Sequence, residues 1–283
     1  MGINKRIRPD HVFRLYAGDV HTENIMARKD FYYNKAKQEG YRSRAAYKLQ
    51  QLNETEDLFS PGDTVVDLGA APGGWMQIAA NAVGASGTVI GVDFQRIDDI
   101  ADVPASCESI RGDVTEESTI SVIHERLPGG SADVVLSDMA PEMTGEYGLD
   151  QARSVYLAEQ ARETAVALLA PGGHFVVKVF QGQDVDDLRE RMETDFEYVR
   201  ATSPDASRDS SSEIYLLGVG YINAPVTPGD RLTVEITEMG AEGDGIAVVD
   251  GFTVFIPGTA VGENVEISIT DVKPRFGFGQ LVD

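Results

Sequence analysis

The string Gly69-Ala70-Ala71-Pro72-Gly73-Gly74-Trp75 follows the apolar run TVVDL and leads into a helix-like stretch. Glycines at the end of a buried strand let a ligand approach the main chain, and the N-terminus of the next helix offers unpaired N–H groups to an anion. The spacing is not Gly-x-Gly-x-x-Gly, so a dinucleotide is disfavoured. The carboxylate of an amino-acid-like cofactor, S-adenosylmethionine (SAM), suits the same turn. Asp93 lies 20 residues beyond Gly73, where an acidic residue holds ribose hydroxyls in nucleotide-binding sheets. Asp113 in RGDV and Asp138 in LSDMAP each close a further predicted strand. One strand-end aspartate is commonly a turn residue. Several in series are different, because the carboxyl ends of neighbouring parallel strands line one crevice. Trp75 reads equally as a core residue at the helix start or as a cofactor contact. Lys178 stands inside the apolar string VVKVF in a chain with only 7 lysines, which weakens its bland reading as a snorkelling strand-end lysine.

The elements that must position these residues follow from the apolar pattern. Continuous runs at Thr64–Gly69, Thr88–Phe94, Ser109–Val114, Ala132–Met139 and Gly173–Phe180 suit strands covered on both faces, with helix-like stretches between them. Asp150–Leu169 places Ala152, Val155, Ala158, Ala161, Ala165 and Leu168 at helical spacing and stops at Pro171-Gly172-Gly173. Between the runs Phe196–Thr202 and Glu213–Tyr221 the connection is too short for a crossover helix, so that pair is predicted antiparallel. Strand and helix in alternation make an α/β fold, a mostly parallel seven-stranded sheet of the Rossmann-like methyltransferase arrangement. After Asn223 the texture changes to short alternating runs separated by glycine-rich turns. Such a unit is predicted to be a small all-β barrel, since closure removes exposed edges. The expected division is an N-terminal extension at 1–27, a methyltransferase domain at 28–222 and the barrel at 223–283.

Charge is distributed unevenly. The chain carries a formal net charge of −22, yet residues 1–48 hold 11 Lys and Arg against 5 Asp and Glu, leaving 13 against 41 for the rest. An acidic, lysine-poor body is expected of a protein from a high-salt cytoplasm, kept hydrated by its carboxylates. Cys107 is alone and the four histidines (His11, His21, His124, His174) lack ligand spacing, so neither a disulfide-linked partner nor a metal is expected. No apolar stretch is long enough for a membrane span. A cytoplasmic monomer is the expectation.

The strings DLGAAPGGW, GVDF, RGDV, SDMAP, VVKVF and SSEIY, with YRSRAAYKL before them, resemble the FtsJ/RrmJ (RlmE) family of ribosomal RNA 2′-O-methyltransferases over residues 28–221. The resemblance implies transfer of a methyl group from SAM to a ribose 2′-hydroxyl, typically of a uridine in large-subunit (23S) rRNA. It implies a catalytic set at Lys48, Asp138, Lys178 and Glu213, and SAM contacts at Gly73, Trp75, Asp93, Asp113 and Asp138. Those types make chemical sense. A hydroxyl attacking a sulfonium methyl must be aligned and lose one proton, for which a buried amine beside a second ammonium is a usable base. Asp138 can hold the ammonium pair, and Glu213 can fix the second lysine or the ribose.

Residues 28–48 hold seven basic residues with Phe31, Tyr32, Tyr33, Tyr41 and Tyr47 interleaved. Cations that neutralise phosphates among aromatics that stack on bases suit RNA, although some of these rings are expected to pack on the sheet. Residues 226–283 resemble the TRAM domain through GDGIA, FIPG, GENVEI and KPRFGFG, which implies RNA binding. That segment is itself acidic, and contact is expected at Lys273 and Arg275 beside Phe276 and Phe278. The expected partner is 23S rRNA or the large ribosomal subunit. A tRNA ribose methyltransferase and a catalytically silent RNA-binding assembly factor are the alternatives, the second disfavoured by the intact Lys48/Asp138/Lys178/Glu213 set.

Overall fold

The computed structural model describes residues 31–207 and 211–282. The expectations for the extension at 1–27 and for Arg28 and Lys29 lie outside the described residues. In chain order the first part holds α1 (31–39), α2 (Ala46–Glu56), β1 (Thr64–Leu68), α3 (Gly74–Val83), β2 (Thr88–Asp93), β3 (Ser106–Arg111), α4 (Glu117–Arg126), β4 (Ala132–Ser137), α5 (Tyr147–Leu168), β5 (Leu169–Phe180), α6 (Val185–Asp195), β6 (Phe196–Thr202) and β7 (Glu213–Tyr221). The strands form one sheet in the order β3-β2-β1-β4-β5-β7-β6. All neighbours are parallel up to β5, while β7 pairs antiparallel with both β5 and β6. The order reverses between β1 and β4, and a crevice opens at the carboxyl ends of strands at such a point.

Central strands are apolar throughout because both faces are covered. All five residues of β1 are buried. On one side Ile123 of α4, Val155, Ala158 and Ala165 of α5, and Leu188 and Met192 of α6 pack on the sheet. On the other, Leu49 and Leu52 of α2 and Met76, Ala79 and Ala80 of α3 do so. Each fully buried Leu or Ile in these layers contributes about 1.5–3 kcal/mol relative to an exposed one.

Three local expectations are corrected. Strand β3 runs Ser106–Arg111 rather than 109–114, which leaves Asp113 in the following turn instead of at the strand's end. The reason is its position at the sheet edge, where a strand is half-exposed and its apolar pattern interrupted. Helix α5 begins at Tyr147, and Ala152 is exposed. Its first turns bury polar Asp150, Gln151 and Ser154, which hydropathy spacing does not detect. Helix α5 stops at Leu168, but Pro171-Gly172-Gly173 belongs to the irregular opening of β5.

The second part comprises β8 (Arg231–Glu235), β9 (Glu238–Met239), β10 (Gly245–Val249), β11 (Phe252–Ile256), β12 (Asn264–Val272) and β13 (Phe276–Leu281), ordered β8-β12-β13-β11-β10-β9. The two ends of that ladder, β8 and β9, are consecutive pieces of one chain segment, so the sheet curls round to its own start. Val234, Ile236, Val254, Ile256, Ile267 and Ile269 fill the interior. The 273–275 turn lies against the first part: Lys273 pairs with Glu197 of β6 at 3.1 Å, and Arg275 Nε donates to the Pro171 carbonyl.

Candidate active site

A cavity of about 500 Å³ opens at the carboxyl ends of β1, β2 and β4, lined by Gly69, Ala71, Asp93, Asp113, Asp138 and Tyr156 among others. The sheet's switch point thus brings together the three aspartates singled out in the sequence. Asp93 ends β2, and its two oxygens accept N–H bonds from Ala71 (3.0 Å) and Gln95 (2.7 Å), which fixes the carboxylate across the glycine turn. Asp113 reaches the cavity from the turn after β3. Its Oδ1 accepts from the N–H and hydroxyl of Thr115, and the N–H bond holds its carboxyl below the ordinary aspartate range.

The glycine turn shapes a second, smaller recess of about 60 Å³, walled by Ser43, Asp67, Gly69, Gly74, Trp75 and Asp138 among others. Gly69 has φ +76°, and a Cβ there would sit 2.3 Å from Met139 Cγ, so a side chain is excluded by both conformation and space. Gly73 caps α3 at φ +102° and lies against Ile100 and Arg42; it does not line either cavity. Trp75 is buried, donates its indole N–H to the Ala45 carbonyl at 2.8 Å and packs on Tyr215 with ring centroids 5.9 Å apart. It is a core residue that also walls the recess.

Asp67 escaped the sequence reading. It is 1% exposed in β1, and its Oδ2 has no hydrogen-bond partner among the described residues. Burial, followed by the negative charges of Asp138 and Asp93, pushes its carboxyl well above the ordinary range. The available signal was a charged residue within a fully apolar strand, TVVDL. A buried acceptor facing a recess calls for a cationic or donor partner. The ammonium of an amino-acid-like cofactor meets that need, with its carboxylate toward the N-terminus of α3 and its ribose toward Asp93. The donor set therefore fits SAM.

Beside the recess lie both singled-out lysines, each matched to a carboxylate. Lys178 is 7% exposed on β5 and contacts Asp138 Oδ1 at 2.9 Å, donating also to the Asp138 carbonyl. Lys48 on α2 is 8% exposed and pairs with Glu213 Oε1 at 2.6 Å. Tyr215 joins the two pairs. Its hydroxyl donates to Asp138 Oδ1 at 2.7 Å, and its ring lies 5.7 Å from Lys48 Nζ. Antiparallel pairing puts Tyr215 opposite Lys178 and Glu213 opposite Phe180, so the β5–β7 register assembles the group. Burial, then the charges of Asp138 and Glu213, raise the Tyr215 hydroxyl well above the ordinary tyrosine range, which keeps it a donor. Tyr215 also escaped the sequence reading; its place in SSEIY, two residues beyond Glu213, carried no separate signal. Among the described residues no cluster of three or more His, Cys, Asp or Glu side chains is placed to hold a metal ion. Among them, too, no helix is long and apolar enough to cross a membrane.

The basic residues outside this group are largely engaged. Arg42 donates to the carbonyls of Pro72 (3.0 Å), Asp98 (2.6 Å) and Asp99, Arg44 to that of Ala206 (2.8 Å), and Lys35 lies 4.5 Å from the Tyr47 ring centroid. Tyr32, Tyr41 and Tyr47 pack together, whereas Phe31 and Tyr33 are exposed. In the barrel, Lys273 and Arg275 face the first part. Phe276 and Phe278 are partly exposed and cluster with Phe255 at the wall of a cavity of about 410 Å³. Lys273 is paired with carboxylates at the junction between the two parts, whereas Arg275 remains exposed beside these rings, held only by its bond to the Pro171 carbonyl.

Comparison with known proteins agrees with this architecture. The FtsJ-like methyltransferase family matches residues 41–221, and the TRAM domain family matches residues 225–282. Ribosomal RNA large subunit methyltransferase E of Halorubrum lacusprofundi is 60% identical over 258 residues, covering 91% of this chain and 95% of its own length. The protein of the same name from Natronomonas pharaonis is 58% identical, with 91% and 100% covered, and that from Methanosarcina mazei 48% identical, with 90% and 92% covered. A Plasmodium falciparum structure described as a ribosomal RNA methyltransferase superposes with a TM-score of 0.58 at 25% identity, covering 65% of this chain and all of its own. Family match, sheet order and end-to-end relatives converge: this chain belongs to the FtsJ-like methyltransferase family and carries a C-terminal TRAM domain.

Proposed function

We propose that the protein methylates a ribose 2′-hydroxyl of large-subunit ribosomal RNA, a uridine of 23S rRNA in particular, with SAM as the donor. One observation carries this reading: Asp138 lines both the large cavity and the small recess while also holding Lys178 and Tyr215. The large cavity, the small recess and the buried amine thus meet at a single carboxylate. The names of the relatives support the substrate, and the ribose as acceptor rests on the lysine–carboxylate group, which is suited to activating a hydroxyl.

Bound SAM would supply an electrophilic methyl group on a sulfonium. Asp67 would hold its ammonium, the glycine turn its carboxylate, Asp93 its ribose hydroxyls, and Asp113 and Trp75 the flanks. The target hydroxyl is oriented by Lys178, Asp138 and the Lys48–Glu213 pair. When the methyl carbon bonds to the ribose oxygen and its bond to sulfur breaks, leaving a neutral thioether, Lys178 Nζ in its neutral amine form would take the hydroxyl proton and Asp138 would offset the charge that develops on the amine. Holding the reactants in line accounts for most of the acceleration, and proton removal adds about 10²–10⁴-fold. On the RNA side, Phe255, Phe276 and Phe278 are suited to stacking on unpaired bases.

Mapping 2′-O-methyl marks on total RNA from strains with and without the gene tests the reading. Loss of one 23S rRNA mark is expected. Loss of a tRNA mark with every rRNA mark intact overturns the substrate, and unchanged marks throughout overturn the activity.

A further inference from the structure

We propose that Tyr147 is a stacking platform for an unpaired nucleobase of the substrate RNA, beside the ribose presented to Lys178. This inference rests on the reading that the substrate is RNA. Tyr147 is the first residue of α5, and its ring is 60% exposed. An exposed tyrosine is ordinary, but this one is immobilised: its hydroxyl donates to the Gln181 carbonyl at 2.6 Å. The contact uses the tip of the side chain and leaves the ring to solvent. A ring whose rotamer is already fixed loses little further entropy when a base lands on it.

The tether also places the ring. Gln181 follows β5 directly, three residues after Lys178, so by strand geometry its backbone lies within about 10 Å of that lysine along the chain. The Gln181 N–H donates to the Ser212 carbonyl at 2.8 Å, and Ser212 precedes Glu213. The tyrosine is therefore tied to the strand pair that carries Lys178 and Glu213. On its other side the backbone is clamped by Asp150, whose carboxylate accepts the Thr144 N–H and hydroxyl (both 2.8 Å) and the Gly145 N–H (3.0 Å). Asp150 is 2% exposed, and the Thr144 N–H first among its partners holds its carboxyl below the ordinary range, so the charge is satisfied by the loop whose shape it fixes.

Charge identifies the occupant. Around the ring Glu142 and Glu146 are exposed beside exposed Met143 and Leu149, and no Lys or Arg lies nearer in sequence than Arg153 on the next turn of the helix. A phosphate is repelled by such a surface; a neutral, flat, apolar-faced base is not.

The test compares Tyr147→Ala, Tyr147→Phe and Tyr147→Trp in the full-length chain, using 23S rRNA from a strain lacking the gene and labelled SAM. Tyr147→Ala is expected to raise the KM for RNA about 5- to 100-fold, the range for one lost base stack, with SAM affinity unchanged. Tyr147→Phe and Tyr147→Trp are expected to stay within about threefold of wild type. An Ala variant with an unaltered KM overturns the proposal, and so does a Phe variant as impaired as Ala, since the hydroxyl tether rather than the ring would then matter. Binding of the same RNA to Lys178→Ala protein, with and without Tyr147→Ala, reads the stack independently of chemistry. A wild-type protein that leaves ribose unmethylated sinks the functional reading, whereas equal RNA binding by those two proteins sinks the platform.

Discussion

The catalytic end of the methyltransferase domain and the outer face of the barrel use the same residue types in opposite ways. Around Asp138 the lysines and aromatics are buried: Lys48 and Lys178 are neutralised by carboxylates, and Trp75 and Tyr215 pack between them. In the barrel the aromatics Phe276 and Phe278 come toward the surface, Lys273 pairs with Glu197, and exposed Arg275 reaches the Pro171 carbonyl. Neither region presents a field of free cations. Among the described residues the features suited to RNA are rings, shape and a few local charges, and binding through them should tolerate salt better than binding that depends on released counterions.

The contrast breaks first at Lys178. Lys178→Ala is expected to lower methyl transfer about 10²- to 10⁴-fold while SAM still binds; near-normal single-turnover methylation would remove Lys178 as the base and reduce the buried pairs to architecture. Asp67→Asn comes next, with SAM affinity falling about 10- to 100-fold as a charge-assisted contact is lost. The same variant should be more stable without cofactor. Because burial raises the Asp67 carboxyl, the native state keeps a proton that the unfolded chain has already released, so stability is lost as pH rises above the ordinary aspartate range. Thermal unfolding from pH 4 to 8 should show that decline in the wild type and a flatter profile in Asp67→Asn; identical profiles would refute the assignment.

Smaller effects test the barrel. Phe276→Ala with Phe278→Ala should weaken RNA binding about tenfold without altering SAM binding, and an unchanged affinity would strip the aromatic face of its role. Lys273→Ala should change RNA affinity less than twofold and stability very little, because its pairs with Glu197 and Asp271 are partly exposed and screened by solvent. A shallower dependence of RNA binding on salt in that variant would show that the lysine meets phosphate after all.

Much of the fold was readable because buried parallel strands announce themselves. TVVDL, ADVVLS and HFVVKVF have no solvent face, and the short link between β6 and β7 admits only a hairpin. The site aspartates were readable for a related reason: Asp93 and Asp138 stand where strands stop, and topology alone collects strand ends. Where the reading failed, tertiary context decided. Edge strand β3 has no continuous apolar signature, so its bounds slipped and Asp113 moved into a turn. Tyr215 gains its place from cross-strand register with Lys178, and Asp67 from what surrounds it, neither of which a local string encodes. Arg42, Arg44 and Lys273 counted as available cations because composition counts charges without showing which carbonyl or carboxylate already holds them.

Strand β7 sets a distance as well as a register. Glu213 at its beginning belongs to the reacting group, whereas Gly220 near its end lies against Pro274 of the barrel. Seven residues of antiparallel strand measure about 24 Å. An RNA held both at the lysine–carboxylate group and at Phe276 and Phe278, just beyond this junction, would be measured by this strut, each contact raising the effective concentration of the other. A fragment too short to bridge the span would forfeit that gain even when it contains the target nucleotide, so selection would act on the extent and shape of the RNA as well as on that nucleotide.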